Sequence, residues 1–240
     1  MHRNNYYDNS VEVLAYQTIH SMVLLNIITF YKGEHMKHRK IIAILHGIPE
    51  DQLLNVAEAL VNSGISLLEV SMNGENPLQN IQMMAQHFGE RAIVGAGMVV
   101  QKDQPYEVAN LGGRFIFSPY TDTKVIKQTL DLGMYSFPGC FSPTECFSAI
   151  SKGTKTLGLF PASVLGATGV SALRGILPDD IQLYAVGGVT SSNMAIYRKA
   201  GCVGFGLKSY LYQPGYTPEL VAEKAMKVVK TYDALESMGY

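Results

Sequence analysis

The sequence predicts an α/β chain folded as a single (β/α)8 (TIM) barrel with an N-terminal extension, and three observations support this. From Lys40 onward, eight short runs rich in β-branched and aromatic residues recur at regular intervals. Each run is nearly continuously apolar, as expected for strands buried on both faces. Helical segments with start and stop signals lie between them, and strand–helix alternation repeated eight times fits a closed parallel barrel better than an open sheet. No G-x-G-x-x-G follows the first run, so the fingerprint of a dinucleotide-binding open sheet is missing.

The eight runs are IIAIL (41–45), LLEVSM (67–72), AIVGAGMV (92–99), FIFSP (115–119), MYSFPG (134–139), TLGLFP (156–161), IQLYAVGG (181–188) and CVGFGL (202–207). After the first run, Leu53, Val56, Ala57 and Leu60 fall on one face of a helix, and Gly64 stands where its C-terminal cap belongs. Asn76-Pro77 reads as an N-cap followed by proline at the first helical position. Ser142-Pro143-Thr144-Glu145 reads as a capping box, and Thr217-Pro218-Glu219 opens the last helix in the same way.

The chain has 240 residues, 47% of them hydrophobic and 16% charged, which suits one well-buried domain. A net charge of -1 gives no electrostatic reason to expect nucleic acid or an anionic membrane. The three cysteines, Cys140, Cys146 and Cys202, are odd in number and lack C-x-x-C spacing. This argues against disulfides or a zinc knot and fits a reducing cytoplasm. Residues 1–35 are set apart as an extension, either an added helix or a non-native leader, with Met36 as an alternative start of the 36–240 barrel. Within the extension the apolar stretch is interrupted by Glu12, Gln17, His20 and Asn26. That leaves it too short for a membrane span, and no small-residue cleavage site follows it.

In a barrel of this kind the chemistry sits at the C-terminal ends of the strands. Glu69 is the most informative residue there. A carboxylate inside an apolar strand costs several kcal/mol unless it has a partner or a task, and burial would raise its pKa into the range of a general acid or base. The structural alternative is a carboxylate satisfied by backbone or arginine. His46 ends the first strand and is a second candidate. Gly187-Gly188 after strand seven and Lys208-Ser209 after strand eight occupy the usual barrel phosphate site, although two ordinary glycine turns would look similar.

The segments AILHGI (43–48), GISLLEVSMN (64–73), AIVGAGMV (92–99), FSP (117–119), PGCFSPTE (138–145), LFPAS (159–163), LPDDIQLYAVGGVTSSN (177–193) and AGCVGFGLKSYLY (200–212) agree in order and spacing with a known family. The chain resembles the 2-keto-3-deoxy-6-phosphogluconate and 4-hydroxy-2-oxoglutarate aldolases, most closely the 2-keto-3-deoxy-6-phosphogalactonate branch. The resemblance implies a homotrimeric barrel that cleaves a small phosphorylated keto acid to pyruvate and a phosphorylated aldehyde. It also implies a lysine Schiff base, no metal or other cofactor, and proton transfer by the strand-two glutamate, here Glu69. Pro119, Phe160 and Pro161 fall at its substrate-binding positions, and Gly187, Gly188 and Ser209 match its phosphate end.

The sequence departs from the family where the chemistry lies. The family's Schiff-base lysine stands two residues before the Phe-Pro of strand six, and this chain has Gly158 there. A threonine beside the substrate is replaced by Met98, and an arginine of the closest branch by His46, which gives up a permanent charge and a bidentate fork. Three functions therefore stand open: a carbon–carbon lyase with a substitute amine or a non-covalent route, an isomerase or epimerase using Glu69 for proton transfer, and a non-catalytic phosphate-ligand binder. Lys155 lies an odd number of residues from Gly158 and should face out of the barrel. Lys208 is the better placed substitute, but gripping a phosphate would hold it charged and unfit to attack a carbonyl.

Overall fold

The computed structural model describes residues 38–239. The expected extension 1–35, with its spanning and leader alternatives, and the alternative start at Met36 lie outside the described residues. Eight parallel strands close into a barrel in the order β1 to β8, each paired with its sequence neighbours, and β8 pairs back onto β1. The strands are β1 (Ile41–Leu45), β2 (Leu67–Ser71), β3 (Ile93–Gly97), β4 (Phe115–Ser118), β5 (Tyr135–Cys140), β6 (Thr156–Leu159), β7 (Gln182–Val186) and β8 (Cys202–Leu207). The helices that follow them in turn are α1 (Glu50–Asn62), α2 (Pro77–Phe88), α3 (Gln104–Asn110), α4 (Thr123–Asp131), α5 (Pro143–Ile150), α6 (Ala162–Arg174), α7 (Met194–Lys199) and α8 (Pro218–Ser237).

Local chemistry explains where several helices start and stop. Ser142 Oγ accepts from the Glu145 amide while the Glu145 carboxylate accepts from the Ser142 amide, a complete capping box that seats Pro143 at the first helical position. The Thr217 side chain caps α8 by accepting from the Leu220 amide. At the end of α1 the Gly64 and Ile65 amides return to Val61 and Leu60, with Gly64 at φ +98 as the expected terminator. Asn76 corrects the sequence expectation. Its backbone is left-handed (φ 45), so its side chain makes no cap and instead donates to Glu50 Oε2 at 3.1 Å. Pro77 alone supplies the start signal there. α6 is broken at Gly166 (φ 67, ψ 169), leaving Ala162–Leu165 as a separate first turn.

Two apolar layers hold the fold. The larger lies between barrel and helices and includes Leu68, Val70, Leu157, Leu159, Phe205 and Leu207. The smaller fills the barrel: Ile42, Leu67, Phe115, Phe117, Phe137, Tyr184 and Val186. Alternation along each strand sorts residues between the two layers. Phe115, Phe137 and Tyr184 meet edge to face, at centroid distances of 5.8 and 4.9 Å. Their bulk is accommodated by missing side chains: a Cβ on Gly95 would collide with the Phe115 ring and one on Gly204 with the Tyr184 ring.

Candidate active site

Glu69 follows Leu67 on the inward face of β2, so the strand register directs its carboxyl into the barrel. It is 1% exposed. The carboxyl lies over Gly97 of β3, where any Cβ would overlap it, so the glycine of the GAG run makes the space the acid occupies. Glu69 Oε2 is buried with no hydrogen-bond partner among the described residues. Burial pushes the carboxyl up to about 8, against a smaller opposing pull from the Lys208 charge. At neutral pH it is therefore mostly an uncharged acid that can donate a proton.

His46 is the next inward position after Ile44 and sits at the rim. Its Nδ1 shares a hydrogen bond of 3.0 Å with Ser71 Oγ, the inward residue two beyond Glu69. Burial and the neighbouring Lys208 charge push the imidazole below its ordinary value, so it is neutral at pH 7. Lys208 follows Gly204 and Gly206 on the inward face of β8 and is exposed at the mouth, as is Ser209. The register Leu207↔Ala43 brings Lys208 abreast of Ile44, and Ile44 pairs with Glu69. Acid and amine therefore flank β1, the acid buried inside the barrel and the amine exposed at its rim.

Gly158 of β6 is abreast of Gly139 and Tyr184. A Cβ there would come within 2.7 Å of Phe117 Cε2, so the ring from β4 occupies the start of any side chain at this position. Lys155 faces outward, as alternation requires, and pairs with Asp180 at 2.6 Å. Pro119 follows β4 at the rim. Phe160 packs on the barrel interior and, with Pro161, lies against Gly187, whose Cβ would be 3.1 Å from Phe160 Cδ2.

Gly187 (φ 90) and Gly188 (φ 77) both adopt the left-handed backbone that favours glycine. Gly188 also abuts Ser163, since a Cβ there would be 2.6 Å from the serine Cβ. The first turn of α6 is thus held beside the β7 turn, and the Ser163 amide donates to the Gly187 carbonyl. Val186 pairs with Gly206, so the glycine turn and Lys208-Ser209 leave neighbouring strands at matching height. Asn193 braces this turn by donating to the Gly188 carbonyl and accepting from the Thr190 amide.

Sequence reasoning missed several residues here. Ser71, Ser163 and Phe117 matter through contacts between strands, which periodicity does not reveal. A cavity of about 360 Å³ also lies to one side of the mouth, between the β1–α1 turn (Gly47, Pro49) and the β8–α8 loop (Tyr212, Tyr216). The expected anion site at Gly187, Gly188, Lys208 and Ser209 does not line it. Met98, where the resemblance expects threonine, has a left-handed backbone (φ 63), a strained conformation for a side chain of its size. No helix of the described residues is long and apolar enough to cross a membrane.

Comparison with known proteins gives consistent matches. The family model for KDPG and KHG aldolase matches residues 33–224. The chain is 38% identical over 192 residues to the 2-dehydro-3-deoxy-6-phosphogalactonate aldolase of Escherichia coli strain K12, covering 80% of this chain and 94% of that one. A solved structure of native KDPGal superposes with a TM-score of 0.80 at 36% identity, covering 82% of this chain and 96% of that one. A cube-shaped protein cage designed by fusing symmetric oligomeric domains superposes with a TM-score of 0.81 at 36% identity, covering 84% and 74%.

Proposed function

The chain belongs to the KDPG and KHG aldolase family, and from that premise we propose that it cleaves a phosphorylated 2-keto-3-deoxy sugar acid, of the 2-dehydro-3-deoxy-6-phosphogalactonate type, to pyruvate and a phosphorylated aldehyde. The observation that carries this reading is Glu69. It is a fully buried carboxyl with one oxygen unpartnered among the described residues, aimed into the mouth of the barrel and held largely protonated. Such a group can protonate a departing hydroxyl, then take the proton from the alcohol whose carbon–carbon bond breaks, then return a proton to the new carbanion. Its burial suits both halves of that cycle, because neither charge state is strongly preferred near pH 8.

His46 and Ser71 would receive the substrate carboxylate at the rim, with Pro119 and Phe160 walling the reacting carbons. The phosphate would rest on the Gly187-Gly188 turn, with the Lys208-Ser209 backbone opposite. A homotrimer is part of the same proposal. The likeness to a cage domain of symmetric oligomeric origin supports it, and so do exposed Val100, Tyr120, Phe141 and Phe147 in the β3, β4 and β5 connections.

Gly158 favours a second reading, in which Glu69 exchanges a proton beside the keto group without cleavage, as an epimerase or isomerase does. The deciding experiment supplies 2-dehydro-3-deoxy-6-phosphogalactonate in deuterated water. Pyruvate release is followed through lactate dehydrogenase, and deuterium incorporation by NMR. Pyruvate release is the expected result. Deuterium uptake without pyruvate would replace cleavage with proton exchange, and neither signal would leave only a binding role.

A further inference from the structure

Breaking the bond beta to a ketone leaves an electron pair that must be delocalised, and an iminium formed from a lysine amine accepts it efficiently. We infer that Lys208, at the C-terminal end of β8, is the amine that forms this iminium, in place of a group on β6. The inference rests on the aldolase reading given above. Three observations carry it. Lys208 is the inward position following Gly206, and the paired registers of β8, β1 and β2 place it and Glu69 on the two sides of Ile44, with the lysine nearer the mouth. Its charge is felt by both His46, at the end of β1, and Glu69, across β1 from it, whereas the glycine turn flanks β8 on the β7 side. Independently, Gly158 on β6 offers no amine, and a Cβ there would crowd the edge of the Phe117 ring at 2.7 Å.

This geometry divides residue 208 between two tasks. Its backbone can face the phosphate while its side chain serves the ketone, so an anion at the glycine turn need not hold the amine. In the first step the neutral amine forms a bond to the keto carbon, and the carbonyl oxygen takes up the electron pair and the amine proton. Glu69 protonates that hydroxyl, which departs as water and leaves an iminium and a carboxylate. The carboxylate removes the proton of the hydroxyl two carbons away. The carbon–carbon bond breaks, the aldehyde departs, and the electron pair is taken up as an enamine. The enamine carbon recovers a proton from Glu69. Water then attacks the iminium, releasing pyruvate and the free amine and returning a proton to Glu69.

The test treats the full-length protein with pyruvate and sodium borohydride, digests it with chymotrypsin and maps the adduct by mass spectrometry. Pyruvate release from 2-dehydro-3-deoxy-6-phosphogalactonate is measured in parallel. The expected result is one reduced adduct on Lys208 in the wild type. In Lys208→Arg, which keeps the charge, adduct and cleavage should both be lost while the thermal melting curve is unchanged. An adduct on another lysine, or cleavage that survives Lys208→Arg, would overturn the role of Lys208 and leave the aldolase reading intact. An adduct on Lys208 without cleavage of the sugar acid would uphold the amine and refute the proposed substrate. Absence of both adduct and cleavage would overturn both.

Discussion

Replacing Glu69 with glutamine should make stability less sensitive to pH, and the structure sets the size of the effect. The carboxyl is displaced from an ordinary 4.5 to about 8 by burial. Below pH 4.5 the folded and unfolded chains both hold this proton. As pH rises through 4.5 the unfolded chain releases it while the folded chain keeps it, so stability falls. The fall stops above about pH 8, where both states are ionised. Each pH unit in that window is worth about 1.4 kcal/mol, which accumulates to about 5 kcal/mol. Glutamine has no proton to lose and nearly the same shape. Urea unfolding followed by far-UV circular dichroism at about pH 5, 7 and 9 measures the difference between the two proteins, from which other titrating groups largely cancel. The two should lie within about 1 kcal/mol of each other near pH 5. The glutamine variant should gain steadily and lead by several kcal/mol at pH 9. A difference that does not change with pH would mean that Glu69 ionises at its ordinary value, and the reasoning from burial would fail.

Three further outcomes follow from the same site. In cleavage assays, kcat/KM should fall with pH through a midpoint near 8, because the cycle begins with Glu69 protonated; Glu69→Gln should lose that limb together with most of the rate, roughly a hundredfold or more. His46→Arg would put a permanent fork beside Ser71, so KM for the keto acid should fall roughly tenfold, in line with a charge-assisted hydrogen bond of about 1.5–3 kcal/mol; an unchanged KM would place the carboxylate elsewhere. Gly188→Ala must carry a Cβ at φ 77 against Ser163, so it should cost about 1–3 kcal/mol, visible as a fall in Tm of roughly 2–4 °C per kcal/mol, and it should weaken binding of inorganic phosphate by isothermal titration.

The architecture was readable because eight apolar runs and their helix signals repeat along the chain. The run bounds agree with β1 and β8 at both ends. At β6 the apolar run continues past the strand end at Leu159: the Phe160 amide still donates to the Cys140 carbonyl, and Pro161, without an N–H, ends the pairing. The break in α6 was not foreseen: Gly166 resembles any helical glycine until its dihedral angles are known. Glu69 was legible as the acid in an apolar strand, and the family resemblance, not alternation, chose the inward face, since β2 is buried on both sides. The His46–Ser71 bond and the Phe117 ring over Gly158 were not legible, since each depends on how one strand is staggered against others distant in sequence.

The crossing of Phe117 over Gly158 also bears on the order in which these two positions can be substituted. A lysine placed at 158 would bring its first carbon to 2.7 Å from the Phe117 ring, so that single replacement should strain the barrel. Shortening Phe117 first would open the route, but it would leave a void beside Phe137 until the second change arrived. Each step alone should cost stability and the two effects should not add, because the positions share one contact. An amine on strand six is therefore obstructed in this barrel, whereas the rim of β8 leaves Lys208 exposed.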